Sequence, residues 1–184
     1  MATSDKAAEV LLGRAGESPA YWYRSVLWNI LMSADQTLGE FTLLEQIIPA
    51  GAGPPPHVHE RQAEGFYILS GELELVVGLD EEIVRAEPGS AVWVPKSTRH
   101  AFRVVSDEPV RLLNFYTPGG FDDHLPFSGI EAAAQTLPPE DLGVSVLDSE
   151  RMSTSQEKRD AYLNRLADVA EGTWQIPTID PTAH

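Results

Sequence analysis

The chain has 184 residues, 42% of them hydrophobic, no cysteine and a formal net charge of −15 at pH 7. That length suits one domain with a good-sized core, and the acidic balance would repel phosphate backbones and anionic membrane surfaces. Without cysteine there are no disulfides, thiolate ligands or cysteine nucleophiles.

Residues 1–20 mix Ala, Gly, Glu and Ser and read as an N-terminal arm. The start, Met1-Ala-Thr-Ser-Asp-Lys6, lacks the basic-then-apolar layout of a secretory signal. No apolar run reaches the roughly 20 residues of a membrane span, so a soluble cytoplasmic protein is expected. Residues 21–120 read as one all-β domain. Strand-like runs fall at 21–32, 41–48, 66–69, 72–77, 82–86, 91–94, 101–105 and 110–116. Gly, Pro and Asp punctuate them, and short strands so spaced predict a sandwich or barrel. Gly71 and Gly89 read as turn residues with positive φ. Tyr21, Trp22 and Tyr23 could cover a barrel end or pack in a dimer.

Beyond Gly120 the character changes, and residues 121–184 read as a helical extension packed on the barrel. Short helical turns are expected at 129–136 and 139–142. Thr154-Ser-Gln-Glu157 reads as a capping box opening a helix to about Ala170, with Gly172 as its stop. Tyr162, Leu163, Leu166, Val169 and Ala170 give that helix one apolar stripe, suited to the barrel exterior or a partner subunit.

Three of the five histidines fall in one pattern. Gly51, five residues, His57-x-His59, four residues, Glu64, six residues and Gly71 form the first segment. Gly89, five residues, Pro95 and then His100 form the second. Residues i and i+2 of a strand share a face, so His57 and His59 could aim into one cavity. Three imidazoles and a carboxylate suit a divalent transition ion such as Fe, Ni, Co, Mn or Zn. His124 and His184 read as solvated rather than ligating.

These two segments resemble the paired motifs of the cupin superfamily, small jelly-roll β-barrels. The first matches throughout; the second has Ser97 where the family usually has Gly and Val104 where it usually has Asn. Within the cupins, Glu64-Gly-Phe-Tyr-Ile-Leu-Ser-Gly71, Val94-Pro-Lys-Ser-Thr-Arg-His-Ala-Phe-Arg103, Pro118-Gly-Gly-Phe121 and Pro139-Glu-Asp-Leu-Gly143 are similar to bacterial quercetin 2,3-dioxygenases. The resemblance implies His57, His59, Glu64 and His100 as metal ligands, and it implies a homodimer.

By alternation, Phe66 and Ile68 should share the face of Glu64, and Phe102 and Val104 that of His100. These four would line an apolar mouth suited to a flat aromatic substrate. Trp93 and Phe115, core aromatics by type, are counted with that pocket. The expected activity is a metal-dependent dioxygenase acting on a flavonol-like or other enolisable aromatic substrate, with Glu64 as base. A non-oxidative isomerase, cyclase or decarboxylase would use the same residues, and a barrel that only binds a small ligand is the third reading.

Overall fold

The computed structural model describes residues 10–78 and 82–139, together with the backbone of 174–175. The expected helix at 154–170, all but the first residue of the turn at 139–142, and His184 lie outside the described residues. Among the described residues twelve strands form two sheets. They are β1 (Ala20–Tyr23), β2 (Val26–Met32), β3 (Thr42–Ile48), β4 (His57–Val58), β5 (Ala63–Ser70), β6 (Leu73–Val77), β7 (Glu82–Ala86), β8 (Ala91–Val94), β9 (His100–Val104), β10 (Val110–Thr117), β11 (Ile130–Glu131) and β12 (Trp174–Gln175). One sheet has the order β11-β1-β2-β3-β10-β5-β8, the other β12-β4-β9-β6-β7. The fold is the jelly roll, built as two separate ladders among the described residues. Every pairing is antiparallel except that of β12 with β4.

Strand alternation explains the packing. On β10, Val110, Leu112, Asn114 and Tyr116 are buried, whereas the residues between them are less so. On β5 the buried side chains include Glu64, Phe66 and Ile68. Leu73 and Leu75 of β6 with Val104 of β9 close the core from the other sheet. Each such large side chain contributes about 1.5–3 kcal/mol by leaving water. A second cluster gathers Tyr23, Ile30, Leu44, Tyr116, Phe121 and Leu125.

Two expectations change here. The run 21–32 is not one strand but a hairpin, because Arg24 and Ser25 take positive φ values of 52° and 62° and reverse the chain. The helical turns expected at 129–136 are replaced by β11, whose Ile130 pairs with Trp22. The helical structure lies just before it, as a 3-10 turn over Phe121–His124 followed by α1 (Leu125–Ser128). Among the described residues no helix is long and apolar enough to cross a membrane.

Candidate metal centre

The short strand β4 is positioned by the chain before it. A Cβ on Gly53 would lie 1.9 Å from the Phe102 carbonyl oxygen, so only glycine allows this approach to β9. Gly51 N donates to Val104 O at 3.2 Å and Val104 N donates to Ala52 O at 2.8 Å. Pro54, Pro55 and Pro56 then restrict the backbone that delivers His57 opposite His100. Their rings lie 4.3 Å apart, centroid to centroid. The turn ahead of His100 is tied to the same region, since Ser97 N donates to His59 O at 2.8 Å.

Glu64 comes from the opposite sheet, where β5 lies between β8 and β10. One donor atom from each of His57, His59, Glu64 and His100 falls within 4.8 Å of the others, and all four residues are buried. Glu64 Oε2 lies 2.8 Å from His100 Nε2 and 3.1 Å from His59 Nε2. The other oxygen, Oε1, accepts from Tyr116 OH at 2.6 Å and from Asn114 Nδ2 at 3.0 Å. Asn114 also donates to Gly65 O at 3.1 Å, and its Oδ1 accepts from Gln46 Nε2 at 2.7 Å.

The electrostatics follow from burial and proximity. Burial pushes the His57 imidazole down to about 4, which favours its neutral form. Its Nδ1 lies 2.9 Å from Pro55 O, and a ring donating there keeps a lone pair on Nε2. Burial alone would raise Glu64, but the hydrogen bond from His100 and the close approach of the His59 ring outweigh it and hold the carboxyl well below its usual range. Burial would likewise lower His100, yet the bond to Glu64 raises it. His100 Nδ1 meets Thr98 O at 2.9 Å, so bonding at both nitrogens calls for the doubly protonated ring. A cation would displace that second proton, as metal uptake at imidazoles does. Burial and the Glu64 charge push the Tyr116 phenol well above its usual value, so it remains a donor.

These residues fit a divalent ion. Both ring nitrogens of His59 are buried without a hydrogen-bond partner, because the Glu64 oxygen beside Nε2 is out of line for a bond. A buried polar nitrogen left so is costly, and a cation would supply the missing interaction. His57, His59, Glu64 and His100 would hold it, a donor set matched to the first transition row.

The expected pocket divides. Phe66, Ile68 and Val104 do share the inner side but are at most 1% exposed, so they are packed core rather than a mouth. Phe102 packs edge-on against Phe66 at 5.5 Å. Trp93 and Phe115 require correction. Trp93 is 52% exposed, and alternation puts Phe115 opposite the buried Asn114 and Tyr116. The two rings pack on each other at 5.9 Å, across Gly65, on the outer face. His124 is not a solvated ring either. It packs edge-on against Phe121 and Tyr23, with Nδ1 2.5 Å from Phe121 O.

Gln46, Asn114, Tyr116 and Phe121 are the contributors that sequence reasoning missed. Phe121 stacks on Tyr116 at 4.2 Å and lies 6.3 Å from the His59 ring. Asp122 anchors its loop by accepting from Ala34 N and Thr42 Oγ1. A signal for Asn114 existed, since an amide within Val110-Arg-Leu-Leu-Asn-Phe-Tyr116 must find partners if that strand is buried.

Residues 44–116, which span the jelly roll from β3 to β10, match the family described as Cupin domain. The matched region resembles quercetin 2,3-dioxygenases. The enzyme of that name from Bacillus subtilis is 27% identical over 108 residues, 59% of this chain and 31% of that protein. The Aspergillus japonicus enzyme is 28% identical over 104 residues, 54% of this chain and 29% of that protein. The chain thus aligns with about a third of the length of these relatives. A crystal structure of ectoine synthase from P. lautus superposes with TM-score 0.54 at 17% identity, covering 72% of this chain and 94% of that one, a likeness of fold.

Proposed function

We propose that this cupin is a metal-dependent dioxygenase of the quercetin 2,3-dioxygenase type, cleaving a flavonol-like or other enolisable aromatic substrate. The observation that carries this reading is the convergence of His57, His59, Glu64 and His100 from two sheets on one buried point. The similarity to two proteins named quercetin 2,3-dioxygenase supports the choice of reaction. A divalent ion held there would supply Lewis acidity, making a hydroxyl beside a carbonyl easier to deprotonate. Glu64 would accept that proton through Oε2, the oxygen that neither Asn114 nor Tyr116 engages. The stacked rings of Tyr116 and Phe121 beside His59 would keep bulk water from that side of the centre. On the same reading, and from the family resemblance, the protein works as a cytoplasmic homodimer.

The test is dioxygen uptake by metal-loaded protein with a panel of flavonols and related enols, repeated without dioxygen. Uptake matched to substrate loss is expected, and Glu64→Gln should reduce turnover by about a hundredfold or more, the scale of general base catalysis. Equal product with and without dioxygen would replace this reading by a Lewis-acid isomerase, cyclase or decarboxylase. Full activity in Glu64→Gln would remove Glu64 from the role of base.

A further inference from the structure

Glu64 Oε1 is engaged twice. A carboxylate oxygen offers two acceptor positions, and on Oε1 the Tyr116 hydroxyl and the Asn114 amide fill both, at 2.6 and 3.0 Å. All four groups in this chain (Gln46, Glu64, Asn114 and Tyr116) are at most 5% exposed, so water does not compete for these bonds. Gln46 decides which way Asn114 faces. By donating to Asn114 Oδ1 at 2.7 Å, it turns the NH2 end toward Glu64; a flipped amide would set two carbonyl-type oxygens against each other and lose the bond to Gly65 O.

We propose that Asn114 and Tyr116, oriented by Gln46, are positioning residues that confine Glu64 to one-oxygen ligation through Oε2. A carboxylate binds a cation through one oxygen or two, and the two-oxygen mode fills one more position of the shell. With Oε1 held by the clamp, that position stays available to substrate. Release of Oε1 lets the carboxylate turn and close the position. This inference rests on the metal-binding reading above and is independent of which reaction follows.

Its test needs neither substrate nor dioxygen. Zinc uptake by the full chain is measured by chelator competition, and the zinc-loaded minus zinc-free infrared difference spectrum is recorded. The Glu64 bands are those absent from Glu64→Gln. The wild type should show the wide separation of carboxylate stretches that marks one-oxygen ligation. Tyr116→Phe, which removes one hydroxyl, and Gln46→Met, which removes the orienting amide, should each narrow it. Each variant should also bind zinc about tenfold more weakly, the usual effect of losing a group behind a ligand. A wild-type spectrum with narrow separation overturns the clamp without any variant. So do folded variants whose separation equals that of the wild type. Should wild-type protein take up no zinc, the metal reading itself fails, a result distinct from either.

Discussion

Ser97 holds φ 62° at the position where the cupin pattern usually has glycine. For a residue with a Cβ, that left-handed conformation costs roughly 1–2 kcal/mol. Glycine would relieve this but adds about 0.4–1 kcal/mol of unfolded-chain freedom, so Ser97→Gly should gain about 0.5–1 kcal/mol. The hydroxyl is little loss, since its bond to Glu60 O is long at 3.5 Å. Thermal unfolding of zinc-free protein should show a Tm about 2 °C higher, by the usual scaling for this size. A lower Tm would mean that the hydroxyl contact outweighs the backbone relief. At this scale the four converging donors were legible because i, i+2 spacing and fixed offsets put them in order. Asn114 and Tyr116 were not, because Phe115 between them drew attention to the wrong side of β10.

Sidedness is a property of elements, and β10 shows why it resists prediction. Most of the strands were readable as apolar runs between turn residues, but a run with apolar residues on both sides does not declare which is inward. The pairing decides it. Gly65 on β5 lies between Phe115 of β10 and Trp93 of β8, and its missing side chain gives the Phe115 ring its place. A Cβ there would meet Phe115 Cζ at 2.1 Å. Gly65→Ala should therefore cost about 1–3 kcal/mol, as overpacking does. Combined with Phe115→Ala it should cost far less than the sum of the two single changes. Urea denaturation of the four proteins measures the coupling, and strict additivity would show that the ring does not sit over this glycine. The β1–β2 hairpin escaped for another reason: Arg24-Ser25 lacks the Asn-Gly chemistry by which such turns are recognised.

At the scale of the molecule, the loop after β10 joins the barrel end to the centre. His124 packs on Phe121, Phe121 stacks on Tyr116, and Tyr116 donates to Glu64. Sequence gave little warning of this, since a histidine in Phe-Asp-Asp-His-Leu reads as exposed until the 3-10 turn folds it back. The packing has a measurable sign. Burial, with a smaller contribution from Arg24, lowers His124 to about 4 from its ordinary 6.5. Between those values the unfolded chain binds a proton that the folded one refuses, so stability falls as pH drops from 6.5 toward 4. The full shift would correspond to at most about 3.5 kcal/mol, from about 1.4 kcal/mol per pKa unit. His57 is lowered as well and contributes in the same direction, whereas the raised His100 opposes it, so the wild-type profile alone cannot isolate His124. His124→Asn does, because the Asn amide can still donate to Phe121 O where Nδ1 does, and it carries no titrating group. Thermal unfolding of zinc-free protein from pH 7.5 to 4.5 should give two curves that converge as pH falls, the wild type losing the larger share. Parallel curves would mean that His124 titrates alike folded and unfolded, and that the ring is not held dry between Tyr23 and Phe121.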